Sequence, residues 1–201
     1  MNELYKQGKF KRFGLSNYKP EEVEEVVKVC KDHGFVAPTV YQGNYSPVAR
    51  RQDTELFPVL RRHGIAFYAY SPLAGGFLTK TKEDIESKSK GRFTDSGAGP
   101  MYMALYNKPT YLQALATWNE IAQKHDVCKS EMAYRWVAFN SPLRNQYGDA
   151  IIIGASRIEQ LKESLAWFQK GPLPDSAAQG IEKVWESVKD EAGLDNFNLN
   201  N

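Results

Sequence analysis

Two segments of this sequence have residue types suited to binding phosphate groups. The stretch Ser71–Gly76 follows an apolar run directly, and its two glycines and small neighbours would let backbone N–H groups approach an anion closely. Ser156, Arg157 and Gln160 open a predicted helix, where N-terminal N–H groups beside an arginine form an anion site. An arginine near the ribose also favours the 2′-phosphate of NADP over NAD. Taken alone, each segment is as compatible with an ordinary turn or a capped helix.

Further polar groups stand where predicted strands end. Ser16 and Asn17 close the first strand-like run, Gln42 closes the second, and Tyr70 ends the third with a ring that either stacks on a flat ligand or lies in the core. Barrel enzymes place their working residues at strand ends, so these side chains are expected to share one site. They carry amide and hydroxyl groups, which bind ligands rather than transfer protons.

The sequence offers few groups for acid–base catalysis. His33 and His63 each precede a glycine at a predicted helix end, where a histidine typically contacts the helix C-terminus. Cys30 lies on an apolar helix face, which makes it a poor nucleophile candidate. There is no HExxH, no CxxC and no paired-carboxylate motif. The sequence therefore predicts no metal site and no catalytic residue.

The elements that must position these groups alternate between strands and helices. Strand-like runs cover Lys11–Ser16, Thr39–Gln42, Ala66–Ser71 and Ala150–Gly154, and helical patterns cover Pro20–His33, Asp53–His63, Tyr111–Lys124, Ser130–Phe139, Arg157–Phe168 and a last helix through Ile181 and Val188. This (βα) repetition predicts an α/β fold with a parallel sheet. A parallel barrel closes with eight strands over about 250 residues, so four strands predict half a barrel.

Local signals refine these elements. Pro58 is expected to shorten or kink the second helix, because proline removes a backbone donor. The charged, glycine-containing segment Thr79–Gly99 predicts a long loop, and Ser156 with Glu159 has the spacing of a capping box. Residues 1–192 form the predicted domain, and the asparagine-rich residues 193–201 are expected to be a frayed tail.

Composition is that of an ordinary globular protein. The chain has 201 residues, 42% hydrophobic and 25% charged, with a net charge of +2, so nothing favours nucleic acid as a partner. No apolar run of about 18 residues predicts a membrane span, and the N-terminus lacks the apolar region of a secretory signal. Cys30 is expected to be a buried thiol rather than half of a disulfide, which fits a cytoplasmic protein. Residues 3–6 predict a helical turn without a cap before it, as in a frayed terminus or a chain begun at an internal Met.

The motifs together resemble those of the aldo-keto reductase family. The matching stretches are Phe13–Tyr18, Thr39–Tyr45, Phe67–Gly76 and Ile153–Ser156 with Gln160 and Glu163, and Thr54–Pro58 and Gly91–Phe93 are most similar to the aflatoxin-aldehyde reductase branch. The resemblance covers nearly the whole chain. It implies a (β/α)8 barrel, of TIM-barrel type, that reduces aldehydes and ketones with NADPH. This chain is similar to the C-terminal half only, strands five to eight with the closing helices.

The resemblance also implies roles for particular residues. Ser16, Asn17 and Gln42 would hold the nicotinamide carboxamide, Tyr70 would stack on its ring, and Ser71–Leu78, including Leu73, Gly75, Gly76 and Leu78, would wrap the pyrophosphate with Arg92 nearby. Ser156, Arg157, Gln160 and Glu163 would hold the adenosine end. Ser164 stands where the family usually has Asn, which weakens one adenine contact. Tyr102 matches a tyrosine of the substrate region, and Leu105 replaces an arginine that meets a substrate carboxylate, so an acidic substrate is less favoured.

The family's catalytic Asp, Tyr, Lys and His lie in the first half of the barrel, and no residue here matches them. Two hypotheses therefore stay open. One is the cofactor-binding portion of an NADPH-dependent reductase of small-molecule carbonyl compounds. The other is an inactive cofactor-binding or interaction module, or a truncated gene product. Because the outer strands of a half-barrel would be bare, a homodimer or a missing N-terminal half is expected to cover them.

Overall fold

The structure is a computed structural model, and it describes residues 1–88 and 91–198. Its sheet has the strands β1 (Gly14–Leu15), β2 (Val40–Asn44), β3 (Ala66–Tyr70) and β4 (Ala150–Ile151) in the order β1-β2-β3-β4. Every neighbouring pair is parallel. The predicted α/β fold with a parallel sheet is therefore confirmed, whereas the closure of these strands into half of a barrel stays a prediction.

The outer strands are shorter than the sequence predicts. Only Gly14 and Leu15 of the run Lys11–Ser16 pair with β2, and β4 covers Ala150–Ile151 of the longer apolar run. The ladder continues by one bond beyond β4, since the Ile152 N–H donates to the Ala69 carbonyl at 2.8 Å. An outer strand has a neighbour on one side only, which shortens the segment held in register.

Helices cover the sheet and its ends. Within the described residues the α-helices are α1 (Asn2–Lys6), α2 (Pro20–His33), α3 (Gln52–Glu55), α4 (Phe57–Arg62), α5 (Lys82–Glu86), α6 (Gly99–Tyr106), α7 (Pro109–Lys124), α8 (Lys129–Arg135), α9 (Ile158–Phe168) and α10 (Asp175–Val188). Turns of 3₁₀-helix lie at Ala74–Thr79, Asn145–Tyr147 and Lys189–Glu191, and a π-helical turn covers Trp136–Asn140.

The helix α2 shows how local sequence sets the bounds of an element. Pro20 occupies the first turn, where its missing N–H costs nothing. The Glu22 carboxylate accepts a hydrogen bond from the Lys19 N–H at 2.6 Å, and Gly34 ends the helix in the left-handed conformation. Val23 and Cys30 are buried on its inner face, and Cys30 is a free thiol as predicted.

Two predicted helices are interrupted. The helix predicted over Asp53–His63 divides at Leu56 into α3 and α4, because Pro58 cannot continue the hydrogen-bond ladder of a single helix. The helix predicted over Ser130–Phe139 is α-helical only to Arg135 and continues as the π-helical turn Trp136–Asn140. Its last turn closes by a bond from the Ser141 N–H to the Trp136 carbonyl, five residues earlier, at 3.0 Å.

The predicted long loop at Thr79–Gly99 is partly wrong. It contains α5, whose first turn is capped by Thr81 and Asp84 with hydrogen bonds of 3.2 and 3.0 Å in opposite directions. Ile85 and Phe93 are fully buried, so this segment packs on the core. Residues 89 and 90 of that prediction lie outside the described residues.

The predicted fraying of the tail is also wrong for its described part. Leu194 and Asp195 are each only 3% exposed. Asn196 and Asn198 form hydrogen bonds with residues near the first and third strands. Residues 199–201 lie outside the described residues.

The core lies mainly between the sheet and the helices. Phe67 on β3 stacks on Tyr41 of β2 at 5.8 Å between ring centroids and meets Phe57 of α4 edge-on at 4.9 Å. A second contact joins α7 and α10, where a Cβ on Gly180 would lie 2.9 Å from Ile121. The other face of the sheet, which carries Gln42 and Tyr70, is partly exposed.

Candidate cofactor-binding site

A cleft of about 440 Å³ opens where the strands end. Its walls are formed by the end of β3 with the following loop, by residues from β2 and α8, and by the segment after β4. The lining residues are Gln42, Tyr70, Ser71, Pro72, Leu73, Gly75, Gly76, Arg92, Tyr134, Ile152 and Gly154. Seven of the residues predicted from the sequence to bind the cofactor are therefore brought together: Gln42, Tyr70, Ser71, Leu73, Gly75, Gly76 and Arg92.

A larger groove of about 900 Å³ lies between the α3 region and the α10 region. Its charged groups already pair with one another. Arg50 donates two hydrogen bonds to Glu182, one of them at 2.8 Å, and Arg51 bonds to Glu55 at 2.6 Å. Since none of the predicted site residues lines this groove, the smaller cleft is the candidate functional site.

The loop after β3 is held in a strained conformation. Ser71 and Ala74 have φ values of 57° and 52°, in the left-handed region that costs a residue with a side chain about 1–2 kcal/mol. Gly75 and Gly76 continue at 69° and 100°. The Ala74 and Gly76 N–H groups donate within the loop, at 2.8 and 2.9 Å. Such strain is concentrated at ligand-binding segments, where the surrounding structure enforces it.

Two buried aromatic residues contact this loop on the side that faces the core. Tyr102 packs so closely on Gly75 that a Cβ there would lie 2.1 Å from its ring. Trp118 of α7 donates its indole N–H to the Leu78 carbonyl at 2.9 Å, and the Leu78 side chain is buried beneath the loop. Leu78 therefore does not line the cleft, although the family resemblance groups it with the phosphate-binding residues.

Arg92 provides the cationic group of the cleft. Its Nη1 donates to the Tyr102 hydroxyl at 2.6 Å, and its guanidinium carbon lies 5.4 Å from the centre of the same ring. Tyr102 is only 4% exposed and does not line the cleft. Its contact is with the arginine and the loop, and its role toward a substrate stays a prediction.

Ser16 and Asn17 follow β1 and do not line the cleft, although they were predicted to bind the same ligand. Asn17 has a φ of 59°, and its Nδ2 donates to Ser16 Oγ at 3.0 Å. Its Oδ1 is buried without a hydrogen-bond partner among residues 1–88 and 91–198. A buried acceptor without a donor costs about 1–3 kcal/mol, so the surrounding contacts offset a cost of that size at Asn17.

Tyr70 presents a half-buried ring to the cleft. Burial raises the pKa of its hydroxyl to about 12, with smaller contributions from Asp195 and Tyr102. The phenol is therefore neutral at physiological pH. Its oxygen accepts a hydrogen bond from Asn196 Nδ2 at 3.0 Å.

The residues predicted for the adenosine end gather around the start of α9. The Ser156 N–H and hydroxyl both donate to Gln160 Oε1, at 3.1 and 2.9 Å. The helix begins at Ile158, two residues after that serine, with Arg157 as its N-cap, so the predicted Ser156–Glu159 capping box is wrong. Serine instead bonds the side chain one turn onward, which leaves the exposed Arg157 at the helix start.

Glu163 and Ser164 lie on the next turn of α9. Glu163 is exposed, whereas Ser164 is buried and donates its hydroxyl to the Gln160 carbonyl at 2.8 Å. These residues stand beside the cleft rather than in its lining. The structure thus forms two neighbouring groups, one at the strand ends and one at α9.

Sequence reasoning missed Tyr134 and Ile152, which both line the cleft. Tyr134 is on α8 and contacts Trp167 and Phe168 of α9, with ring centroids 5.8 and 5.9 Å apart. An aromatic residue at helical spacing has the pattern of an ordinary core position, so no signal in the sequence distinguished it.

The histidines lie at helix ends, as predicted. His33 Nδ1 is 3.0 Å from the Val29 carbonyl, and His63 Nε2 is 2.6 Å from Glu24 Oε2. Neither lines the cleft. In the described ranges, no group of three or more His, Cys, Asp or Glu side chains is arranged to hold a metal ion. None of the helices described there has the length and apolar character that a membrane crossing requires.

Comparison with known proteins gives a consistent result. The family model described as "Aldo/keto reductase family" matches residues 1–186. The chain is 43% identical to an aldo-keto reductase of Pseudocercospora fijiensis over 94% of this chain and 64% of the relative. It is 40% identical to the oxidoreductase sirO of Leptosphaeria maculans over 96% of this chain and 58% of the relative.

A human relative is similar to the same degree. Aflatoxin B1 aldehyde reductase member 2 of Homo sapiens is 40% identical over 94% of this chain and 54% of that protein. This agrees with the branch indicated by the sequence motifs. The chain therefore spans between 54% and 64% of the length of these three curated relatives.

Proposed function

Because the chain belongs to the aldo/keto reductase family, we propose that it is the NADP(H)-binding portion of a reductase of small-molecule aldehydes and ketones. The observation that carries the proposal is the cleft, which unites Gln42 and Tyr70 with the strained loop and Arg92. Asn17 would add an acceptor for the carboxamide of a nicotinamide if its side chain turned outward, because its Oδ1 is buried and has no partner in the described part of the chain.

Different residues would bind different parts of the cofactor. Asn17, Ser16 and Gln42 would hold the carboxamide, and the neutral ring of Tyr70 would stack on the nicotinamide. Arg92, held by Tyr102, would neutralise pyrophosphate charge beside the loop Ser71–Gly76. Bound NADPH would supply a hydride to a carbonyl carbon. This chain's own groups bind, orient and shield the cofactor.

Arg157 would select NADP(H) over NAD(H). It is exposed at the N-terminus of α9, where free helix N–H groups and a guanidinium both favour a phosphate. Gln160 is ordered by Ser156 on the same turn, and Glu163 lies one turn further for the adenosine hydroxyls or base. The buried Ser164 contributes no amide to the adenine.

Carbonyl reduction also requires a proton donor, and the proposal assigns none to this chain. The resemblance locates the catalytic Asp, Tyr, Lys and His in the first half of the barrel. Activity would then belong to an assembly that adds this half, either in a longer product or from a partner. The alternative, an inactive cofactor-binding or interaction module in the cytoplasm, is compatible with the same cleft and with two free cysteines.

Isothermal titration with NADPH and NADH tests cofactor binding and selectivity. NADPH is expected to bind more tightly, and Arg157→Ala is expected to weaken NADPH about tenfold or more, as for a charge-assisted hydrogen bond. Lys162→Ala is the matched control, because it removes one exposed cation from the same helix. Equal affinity for the two cofactors, or equal effects of the two substitutions, would contradict the assignment of Arg157.

A rate assay tests whether this chain supplies a proton donor of its own. The chain alone is expected to oxidise no NADPH with 4-nitrobenzaldehyde, because general acid catalysis contributes roughly 10²–10⁴-fold and the proposal assigns no donor to this chain. A rate near that of a full-length family member would show that another group in this chain donates the proton.

A further inference from the structure

The C-terminal segment 194–198 spans the ends of three strands. Gln52, itself 2% exposed, donates its side-chain amide both to the Leu194 carbonyl and to the Asn44 carbonyl at the end of β2. Asn196 reaches Tyr70 at the end of β3, and Asn198 Nδ2 lies 3.5 Å from the Asn17 carbonyl after β1. The segment therefore contacts the residues proposed to hold the nicotinamide.

A buried carboxylate fixes the shape of this segment. Asp195 Oδ1 accepts the N–H groups of Phe197 and Asn198, both at 2.7 Å, and its Oδ2 accepts Asn198 Nδ2 at 2.6 Å. The turn is closed by a bond of 3.0 Å from the Leu194 N–H to the Asn198 carbonyl. These bonds hold the residue between them, Asn196, against the Tyr70 ring.

Within residues 1–88 and 91–198, the side chain of Asn196 makes one hydrogen bond. Its Nδ2 donates to the Tyr70 hydroxyl at 3.0 Å. Its Oδ1 is buried and has no partner in the described part of the chain. The anchoring of the segment is supplied separately by Gln52 and Asp195, so this amide acts on the tyrosine rather than on the attachment of the tail.

We propose that Asn196 is a positioning residue of the cofactor site, which holds the Tyr70 ring in the plane on which the nicotinamide stacks. The inference rests on the proposed function. A phenol ring that lines an open cleft is free to swing at its hydroxyl end, and a hydrogen bond at that end restricts the swing. Restricting the ring before binding raises affinity, because less side-chain entropy is lost when the ligand stacks.

A double-mutant cycle with two ligands tests this. Isothermal titration measures NADPH and 2′-phospho-ADP-ribose, which lacks the nicotinamide, on the wild type, Asn196→Ala, Tyr70→Phe and the double variant. Phe197→Ala is the matched control, because its side chain is 73% exposed on the same segment and its backbone bond remains. Urea unfolding of every variant checks that the fold is retained.

Asn196→Ala is expected to weaken NADPH about three- to tenfold, in the range of one neutral hydrogen bond, and to leave 2′-phospho-ADP-ribose unchanged. In the Tyr70→Phe background the same substitution is expected to have no further effect, since the bonded hydroxyl is gone. Phe197→Ala is expected to bind both ligands like the wild type.

Other results separate the possible failures. Equal loss of both ligands in Asn196→Ala would show a structural role for the tail and overturn the inference. An undiminished effect in the Tyr70→Phe background would overturn it too, because the amide would then act elsewhere. Unchanged NADPH binding in Asn196→Ala would refute the inference and leave the proposed function intact. Wild-type chain that binds neither ligand would refute the proposed function itself, and this inference with it.

Discussion

Substituting alanine at Gly75 is expected to destabilise the protein more than the same change at Gly171. Both glycines have a φ of +69°, so the backbone strain of an added Cβ is matched. At Gly75 the new atom would lie 2.1 and 2.4 Å from two carbons of the Tyr102 ring. At Gly171 it would meet nothing within 4 Å. The difference between the two variants therefore isolates the contact that supports the loop after β3.

The magnitude follows from two contributions. A left-handed conformation costs alanine about 1–2 kcal/mol at either position. At Gly75 the Tyr102 ring must also move, and it is only 4% exposed and bonded to Arg92 at 2.6 Å. Displacing a packed side chain costs typically about 1–3 kcal/mol. We therefore expect a loss in the free energy of unfolding of about 1–2 kcal/mol for Gly171→Ala and about 2–5 kcal/mol for Gly75→Ala.

Urea unfolding monitored by tryptophan fluorescence measures both losses, and comparable m-values ensure that they refer to the same transition. The change Gly75→Ala is then repeated with Tyr102→Ala, where the ring is absent and only the backbone contribution should remain. Equal losses at the two glycines, or a Gly75 penalty that persists without the ring, would refute the reasoning. The Gly75 variant is also expected to bind NADPH more weakly, because Tyr102 holds Arg92.

The remaining predictions concern stability and assembly. Asp149→Asn is expected to lower the free energy of unfolding by about 3–5 kcal/mol, because its carboxylate is 1% exposed and pairs with Arg61 at 2.6 Å. The control Asp32→Asn, in an exposed ion pair, should lower it by under about 1 kcal/mol. Equal urea midpoints for the two variants would contradict this prediction. Burial raises the pKa of Asp53 to about 6 from its ordinary 3.8, so the folded state holds this proton more tightly than the unfolded state and stability falls as pH rises from 4 to 6. Over that range, the free energy of unfolding of the wild type is expected to fall by about 1–2 kcal/mol relative to Asp53→Asn. Parallel pH profiles of the two proteins would rule this out. Ile152, directly after the outer strand β4, and Ile158, at the start of α9, are 36% and 68% exposed. Light scattering coupled to gel filtration should therefore show dimers or larger species, whereas a monodisperse 22.8 kDa monomer with a cooperative thermal transition would show that the exposed edges are tolerated.

Local sequence was sufficient to predict the elements whose bounds depend on local chemistry. The helix α2 begins at Pro20 and ends before Gly34, as its proline, acidic first turn and glycine indicate. The convergence of Gln42, Tyr70 and the loop Ser71–Gly76 was also predictable, since parallel strands end at the same edge of a sheet. These residues are close in space because topology brings them together, whatever the packing around them.

Elements that depend on tertiary contacts were not predictable in this way. The tail is rich in asparagine and has the composition of a frayed end, yet Gln52 bonds the Leu194 carbonyl and Asp195 organises the turn that follows. The π-helical turn that follows α8 and the contribution of Tyr134 to the cleft have the same origin. In each case the conformation depends on a contact with a residue more than thirty positions away, or on the geometry of a neighbouring turn. Neither can be inferred from the local residue pattern.

Positive φ values occur at Asn17, Ser71 and Ala74, which lie after β1 and after β3. Residues with side chains persist in that conformation only where their surroundings enforce it. Here the enforcing groups belong to this chain: Trp118 holds the Leu78 carbonyl beneath the loop, and the tail bonds Tyr70 above it. The strained loop is therefore supported by contacts within the described part of this chain. We therefore predict that cofactor binding is separable from proton donation: the first is expected of this chain by itself, and the second only after a proton-donating partner joins it.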